Sequence, residues 1–597
     1  MKKYKKIVRL IPLDQRRFKF LYIFSLLLIF CLFGRLVKLQ VFNASDLQRK
    51  ARLIQSSKTN ALKKRRAIVD RNNRLIAYDK PLYKLWAHPK YFNFPGDSIN
   101  RVRSIEEVTE KLSPILDING EILLSKFNNK MSGIKLLDKI SEEKAEKIKN
   151  LQISGLDLFK YSQRYYPQGE LYSNLVGFVN DENIASAGLE LHLDNQIKVF
   201  NKSNLIKRGG DGTPLPDNSA PGDFISDYKS LGLTIDSKLQ KASFNALSKQ
   251  VSKWKAKKGF AIVMDVNNGR ILSLVTVPSY DPNKFWQYDS ELFRGWYSQD
   301  LFEPGSTFKP INLALALEEK VIQKDGVVED IGKINVGGWT LSNWDKKGNG
   351  YIDYPKVLQV SSNVGMVKIM QNLDPTIYWD WLKNLGINKN LETDLFESTA
   401  GQLKRKDLFV NQSIEPAVTS FGKGFSISPL KLVQLHAALA NGGFEVTPHV
   451  TSTFKERVNK NPKKQFFSHE VSKTVLEWME SVVDKGSGSG VKIEGYRIAG
   501  KTGTSQKALN GLYSTKKVCS FVATLPVNDP KYAVLVVVDE PSKSYAYGST
   551  VAVPVAKEII ESLIVIEKIP PKIKDHGMIV KKPVSYTHLT LPTIYSV

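Results

Sequence analysis

Glu303-Pro304-Gly305-Ser306-Thr307-Phe308-Lys309-Pro310 places a serine three residues ahead of a lysine, directly after a Pro-Gly break and at the start of an apolar run over 311–317. Two further elements follow in order, Ser361-Ser362-Asn363 and Lys501-Thr502-Gly503-Thr504. Together the three describe an acyl-transfer site in which a lysine, not a histidine, activates a serine.

An isolated Ser-x-x-Lys is weak evidence, because the chain also carries Ser141/Lys144, Ser226/Lys229, Ser252/Lys255, Ser428/Lys431 and Ser514/Lys517. Context separates Ser306 and Lys309. Pro304-Gly305 allows a tight turn, and a helix that is apolar nearly all round, hence buried, begins there. Ser306 is then expected at a helix N-terminus, where free N–H groups and the positive dipole end favour an alkoxide or developing oxyanion. Lys309, one turn on, lies on the same face, and the dipole disfavours its protonated form, as a general base requires. The alternative is that Ser306 merely caps the helix.

In Ser361-x-Asn363 the hydroxyl can relay a proton between lysine and leaving amine, and the amide can hold a substrate carbonyl and orient Lys309; taken alone, the segment reads equally as a cap before a helix over 364–370. Lys501-Thr502-Gly503-Thr504 follows Tyr496-Arg497-Ile498-Ala499-Gly500 and reads as a strand. Gly503 lets another backbone approach, so a peptide can pair there as an added strand. The N–H groups of Thr504 and Ser306 can form an oxyanion hole. Lys501 can bind a terminal carboxylate and help to keep Lys309 neutral by like-charge repulsion. Alone, the triplet is an ordinary turn; jointly, three weak signals in one order within one domain point to catalysis.

At 597 residues the chain is expected to hold two or three domains, and an apolar fraction of 42% suffices for real cores. The formal charge of +27 comes from scattered lysines, with no nucleic-acid motif, and reads as a lysine-rich surface. The 7 histidines lie far apart without metal-ligand spacing, so no metal centre and no serine-histidine-aspartate triad is expected. Cys31 and Cys519 fall in an apolar N-terminal run and a core strand, which makes a disulfide framework improbable.

Lys2, Lys3, Lys5, Lys6, Arg9, Arg16, Arg17 and Lys19 precede an apolar stretch over 20–33, which reaches Phe42 if Arg35 and Lys38 snorkel. That length spans a bilayer, and the basic flank keeps residues 1–19 in the cytoplasm. No clean small-x-small cleavage site is present, so an uncleaved single-pass anchor over 20–42 is expected rather than a signal peptide, with the rest of the chain extracytoplasmic.

Residues 45–225 mix charged helical patterns with short strands; the stretch 141–151 reads as a fully solvated helix. The chain turns Gly/Pro-rich over 209–222, and a boundary is placed just after it, with a second domain over 228–565. There, β-rich runs at 261–266 and 270–276 flank Asn267-Asn268-Gly269, and runs at 518–525 and 532–538 flank Asn528-Asp529-Pro530. A helix is expected over 430–440, ended by Asn441-Gly442-Gly443. The pattern is an antiparallel sheet covered by helices, an α/β (α+β) layered domain. Of the tail 566–597, the segment 584–597 does not continue the composition before it; it resembles translated sequencing-adapter read-through and is expected to be non-native.

Further segments carry a family resemblance. Arg66-Ala67-Ile68-Val69-Asp70-Arg71-Asn72-Asn73-Arg74-Leu75-Ile76-Ala77 resembles an R-G-x-I-x-D-R-N-G-x-x-L-A motif, departing at Ala67 and Asn73, where glycine is usual. Arg164-Tyr165-Tyr166-Pro167, Gly188-Leu189-Glu190, Leu233-Thr234-Ile235-Asp236, Pro278-Ser279-Tyr280-Asp281-Pro282-Asn283 and Gly422-Lys423-Gly424-Phe425-Ser426-Ile427-Ser428-Pro429-Leu430 match others. With the three catalytic elements they resemble class B penicillin-binding proteins over nearly the whole length to about residue 565.

The resemblance implies a penicillin-binding/β-lactamase-like transpeptidase domain preceded by an elongated pedestal domain. It implies that Ser306 attacks the D-Ala-D-Ala amide of a peptidoglycan stem peptide with Lys309 as base. Ser361 and Asn363 would relay protons and position substrate, and Lys501 and Thr502 would hold the donor carboxylate. It implies no cofactor, covalent inhibition by β-lactams, and partnership with a separate SEDS-type glycan polymerase and other division proteins, since no glycosyltransferase domain is present. Ser361-Ser362-Asn363-Val364-Gly365 resembles the division-type (FtsI-like) enzymes. Two rivals are a β-lactam hydrolase or D,D-carboxypeptidase of the same fold and a non-catalytic divisome scaffold. No Glu-x-x-x-Asn segment between Asn363 and Lys501 matches the β-lactamase deacylation signature, and the intact triplets argue against a scaffold.

Overall fold

The computed structural model describes residues 15–44, 56–58, 64–92, 102, 104–127, 130–199, 205–207, 229–396, 398–454, 464–509 and 512–572. Most of the basic N-terminal tail, the Gly/Pro-rich stretch 209–222 and the tail 584–597 lie outside the described residues.

Contacts divide the chain into two units, 1–64 with 199–228, and 65–198 with 229–597. The described part of the first holds helix α1 (Gln15–Val37), a π-helical turn over Lys38–Phe42, and a short strand pair, Ser56–Lys58 with Leu205–Lys207. The stretch Lys19–Phe42 is long and apolar enough to cross a membrane. Its large apolar side chains are exposed all round, as lipid contact requires and a soluble core helix does not.

In the second unit, residues 65–198 build a sheet from β1 (Ile68–Val69), β2 (Leu75–Ala87), β3 (Ile134–Ile140) and β4 (Leu156–Tyr165), with helices α2 (Ile105–Leu116) and α3 (Glu142–Asn150). β3 and β4 both pair antiparallel with β2, and β5 (Leu231–Gly232) joins β1 in parallel. The sheet thus takes a strand from beyond the Gly/Pro-rich stretch. Helix α3 falls where a solvated helix is expected, but Ala145 and Ile148, three apart, are buried, so one side packs inward.

The departure at Asn73 keeps its turn. Asn73 takes φ 61, the left-handed value that glycine adopts freely and asparagine tolerates, and Asp70 Oδ1 accepts from the N–H groups of Asn72 and Arg74 at 2.8 Å. Arg71 then ion-pairs with Asp236 at 2.8 Å and Glu567 at 2.5 Å. The segments at 164–167 and 188–190 also meet. Glu190, wholly buried, pairs with Arg164 and Arg65, both at 2.7 Å, and these arginines reach Asp79 and Asp194 in turn.

Residues from 237 onward form a five-stranded antiparallel sheet. The main elements of this region are α4 (Ser237–Lys253), β6 (Lys258–Asp265), β7 (Ile271–Val277), α5 (Lys309–Glu318), β8 (Val327–Asp330), β9 (Lys333–Val336), β10 (Trp339–Ser342), β11 (Gly350–Asp353), α6 (Tyr354–Val360), α7 (Asn363–Met370), α8 (Pro429–Ala440), α9 (His469–Lys485), β12 (Ala499–Leu509), β13 (Leu512–Leu525), β14 (Tyr532–Asp539) and α10 (Gly548–Ile566), with β8–β11 and β9–β10 as two separate strand pairs. The strand order is β7-β6-β14-β13-β12. Both expected hairpins form, the second with a longer first strand than its apolar run suggests.

Side-chain alternation explains why these strands read as continuous apolar runs. Phe260, Ile262 and Met264 of β6 enter one core while Ala261 and Val263 enter another; Leu535 and Val537 of β14 alternate likewise with Val534, Val536 and Val538. The first core is covered by α5, α8 and α9, the second by α4 and α10. Cys519 lies in the second core on β13, and burial pushes its thiol up to about 12.

Glu190→Ala leaves two buried guanidinium groups with one carboxylate partner each, Asp194 for Arg65 and Asp79 for Arg164. The expected loss is about 3–5 kcal/mol of stability, read as a lowered denaturant midpoint; a loss below about 1 kcal/mol would place the network on the level of a surface ion pair.

Candidate active site

The catalytic candidates come together at the start of α5. Gly305–Phe308 forms a 3-10 turn that runs directly into the helix, leaving Ser306 half-exposed and Lys309 fully buried. The turn is held from behind. Thr307 Oγ1 donates to the Pro304 carbonyl at 2.6 Å, and His436 Nε2 of α8 lies 2.8 Å from the Thr307 carbonyl. Burial lowers the His436 pKa to about 4, so the ring is neutral and donates that bond through Nε2–H.

Gly422 closes the turn from the other side. Its carbonyl accepts from Gly305 N–H at 2.9 Å. Gly422 has φ +85, and a Cβ there would fall 2.0 Å from the Gly305 carbonyl oxygen. Glu303 Oε1 accepts from Gly424 N–H at 2.9 Å. The Gly-x-Gly segment is therefore the mould of the serine turn.

Ser361 caps α6 in the left-handed conformation, φ 57, which costs a non-glycine residue about 1–2 kcal/mol. Ser362 caps α7 through Gly365 N–H at 2.8 Å. The capping role thus falls on the middle residue, and Ser361 and Asn363 on either side are free for the site. Lys309 Nζ donates to the Ser361 carbonyl at 2.6 Å and to Asn363 Oδ1 at 2.9 Å, and lies 3.2 Å from Ser361 Oγ. Ser361 Oγ is 3.0 Å from Ser306 Oγ and accepts from Lys501 Nζ at 3.1 Å. All five candidates are thus joined through the Ser361 hydroxyl and Lys309. The path from Ser306 to Lys309 in this geometry runs by way of Ser361.

Burial, then repulsion from Lys501, moves the Lys309 pKa well below its ordinary value, against a smaller opposing pull from Asp330. Lys501 is also fully buried, and that desolvation lowers its pKa to about 7. With two N–H bonds committed to the Ser361 carbonyl and Asn363, a neutral Lys309 keeps its lone pair for a hydroxyl proton.

A platform that no motif announced holds Asn363. Asn343 Oδ1 accepts from the N–H groups of Asn363 at 2.8 Å and Val364 at 3.1 Å, while Asn343 Nδ2 donates to both oxygens of Asp330. Asp330, 1% exposed, keeps its carboxyl below the usual range despite burial, through bonds from Asn349, Gly332, Ser362 and Asn343.

Lys501-Thr502-Gly503-Thr504 lies on β12, the edge strand, whose outer side pairs with no described strand. Thr502 and Thr504, two apart, line one groove of about 490 Å³ with Ser306, Ser361, Asn363 and the exposed Trp344. Gly503 serves the enzyme's own packing: a Cβ there would meet Ser520 Oγ at 2.3 Å and Thr307 Cγ2 at 3.0 Å. Thr502 Oγ1 lies 2.6 Å from Ser487 Oγ, another residue without a sequence signal. The arrangement can activate a serine, hold an anion near Lys501 and accept an extended peptide along the strand edge.

Comparison with known proteins agrees with this chemistry. Residues 259–561 match the penicillin binding protein transpeptidase domain, and residues 61–203 the penicillin-binding protein dimerisation domain. The chain is 39% identical over 572 residues to a peptidoglycan D,D-transpeptidase FtsI homolog of Mesostigma viride, covering 91% of this chain and 94% of the relative. It is 30% identical to peptidoglycan D,D-transpeptidase FtsI of Escherichia coli (strain K12), covering 90% of each. The apo structure of the TP domain of Burkholderia pseudomallei penicillin-binding protein 3 superposes with a TM-score of 0.51 at 30% identity, over 59% of this chain and 100% of that domain.

Gly422→Ala is expected to displace the serine turn while leaving the sheet folded. Labelling by a fluorescent penicillin should slow by about 10²-fold with an unaltered circular dichroism spectrum; labelling at the native rate would show that the turn does not depend on this contact.

Proposed function

Since the chain belongs to the penicillin-binding protein transpeptidase family and is a peptidoglycan D,D-transpeptidase, we propose that Ser306 is its nucleophile and that Lys309, Ser361, Asn363 and Lys501 complete its active site. The observation that carries the assignment is the hydrogen-bonded chain from Ser306 Oγ through Ser361 Oγ to the buried Lys309, with Lys501 on the same hydroxyl. The substrate is a peptidoglycan stem peptide, with β-lactams bound as its mimics.

The donor stem lies along the outer edge of β12, its terminal carboxylate at Lys501 and Thr502, its scissile carbonyl beside Ser306. Ser306 Oγ forms a bond to the carbonyl carbon as its proton passes through Ser361 to neutral Lys309. The N–H groups of Ser306 and Thr504 hold the oxyanion. Collapse breaks the C–N bond, and the departing amine takes a proton back from Lys309 through Ser361. An acceptor amine then attacks the ester carbon, the C–O bond to Ser306 breaks, and Oγ regains a proton. Gly503 lets the turn sit close to the strand.

The same proposal assigns 45–225 to a pedestal domain and 228–565 to the transpeptidase domain, in line with the two matched regions. It reads residues 20–42 as a single-pass anchor in the cytoplasmic membrane with the catalytic domain outside, on the strength of the apolar stretch Lys19–Phe42. It places the enzyme in septal wall synthesis, in line with the FtsI names of its relatives, and, from the family resemblance, beside a SEDS-type glycan polymerase and other division proteins.

Labelling of the detergent-solubilised full chain with a fluorescent penicillin tests the nucleophile. A long-lived covalent adduct is expected in the wild type and none in Ser306→Ala; equal labelling of both would move the nucleophile elsewhere.

The pH profile tests the lysines. Lys309 must be neutral to take a proton, so its protonation sets the acid limb. Lys501 must be charged to hold a carboxylate, and it loses its proton as pH rises through about 7. The second-order rate constant for acylation should therefore fall above that pH. In Lys501→Arg the guanidinium stays charged, and the alkaline limb should vanish from the accessible range; a limb left in place belongs to another group.

A further inference from the structure

A second, larger cavity of about 690 Å³ lies on the far side of the catalytic turn. The two cavities share their dividing walls. On the turn, Glu303 borders this cavity, while Gly305 and Ser306 border the groove. On β12, Ser505, Gln506 and Lys507 border this cavity, while Thr502 and Thr504 border the groove. Ser505 Oγ donates to the Glu303 carbonyl at 3.1 Å, closing the seam between strand and turn. Ser306 in the groove thus lies three residues from Glu303 in the cavity wall, on the same turn.

The charges on the cavity wall, three lysines and three carboxylates, do not pair one to one. Each lysine there has a carboxylate partner: Lys258 pairs with Asp300, Lys404 with Glu415, and Lys507 with Asp539 and Glu540. Glu303 has no cation among the described ion pairs. Its carboxylate accepts only from Gly424 N–H at 2.9 Å and the Tyr513 hydroxyl at 3.2 Å. Lys423 stands over the Tyr513 ring at 4.0 Å instead of pairing with it. Asp539 is 5% exposed and commits one oxygen to Lys507, while its Oδ1 has no hydrogen-bond partner. A half-buried carboxylate without an ion pair is costly, and burial, against a smaller pull from Lys423, holds the Glu303 carboxyl above its usual range. Every lysine on the wall itself is paired, and Lys423 beside it draws the Glu303 carboxyl down without forming an ion pair, so Glu303 and Asp539 Oδ1 keep acceptor capacity for a positively charged N–H donor.

Transpeptidation brings two peptides to one serine. The donor occupies the groove at Thr502 and Thr504. The acceptor ends in a primary amine, which by the ordinary value for such a group, about 10.4, arrives as an ammonium. We propose that the cavity behind Glu303 is the docking site of the acceptor stem peptide, with the Glu303 carboxylate receiving its amine-bearing side chain before transfer. This rests on Ser306 and its groove being the donor site. The volume falls within the roughly 300–1,000 Å³ of ligand pockets, and Ser505, Gln506 and Lys507 border this cavity but not the groove.

The test uses the full chain in detergent, a D-alanyl thioester donor, and two acceptor probes, a lysine-containing and a diaminopimelate-containing stem tripeptide. Two variants are compared with wild type: Glu303→Gln, which keeps an oxygen for Gly424 N–H, and Gln506→Trp, which obstructs the mouth from an exposed position. Penicillin labelling of the same samples is the internal reference for the serine turn. The expected result is a rise of about tenfold in acceptor KM beyond any change in labelling rate, for at least one probe and in both variants. Acceptor KM within about twofold of wild type in both variants overturns the proposal. So does a parallel loss of labelling and transfer in Gln506→Trp, which also decides the matter if Glu303→Gln fails to fold. Labelling that survives Ser306→Ala would instead defeat the donor-site assignment, and is read separately.

Discussion

Two lysines, each wholly withdrawn from water, converge on one serine hydroxyl. Two buried ammonium groups at hydrogen-bond distance from a shared oxygen cannot both remain charged without a large penalty. The site resolves this by chemistry rather than by a counter-ion. Desolvation acts on both, and repulsion from Lys501 adds to it at Lys309, so the amine nearer the serine is the one driven toward neutrality. Asp330 stands close enough to pull the other way, yet spends its oxygens on Asn343, Asn349 and Gly332 instead of on either lysine.

That constraint dictates much of the surrounding architecture. Burial of Lys309 requires an apolar helix packed on several sides, which α5 obtains from α8 and α9 in the core above the sheet. Burial of Lys501 requires a strand end that the same core covers, while substrate access requires that strand to be at an edge; β12 satisfies both by lying last in the order. The strained backbone at Ser361 delivers its hydroxyl and its carbonyl to one side, and the Ser362 cap on the next helix keeps that geometry fixed.

Much of this was legible in sequence because it is written in local patterns. Continuous apolar runs around Asn267-Asn268-Gly269 mark strands with two buried faces, and Pro304-Gly305 before an apolar stretch marks the serine turn. Other parts left no local trace. Asn343 reaches Asn363 across 20 residues, and His436 reaches Thr307 across 129, with no periodic or compositional signal at either position. The Gly422 segment was visible as a motif, but its task, a backbone contact with Gly305, exists only in three dimensions. Gly503 shows the converse: its need for space was legible, while the neighbour that fills the space proved to be the enzyme's own turn. Helix α3 looked fully solvated because its charges mask two small inward contacts at Ala145 and Ile148.

The sheet order has a temporal meaning. β6 lies between β7 and β14, pairing Ala261 with Val536, and Arg71 completes its ion pair with Glu567 across 496 residues of chain. A ribosome makes these partners at opposite ends of its work. The strands that emerge early have one open flank until the last hairpin and α10 arrive, and contacts of such separation close slowly. Assembly of the catalytic unit is therefore a late event in the life of each chain, and a polypeptide released short of α10 carries its serine turn on a sheet whose second face is covered by α4 alone.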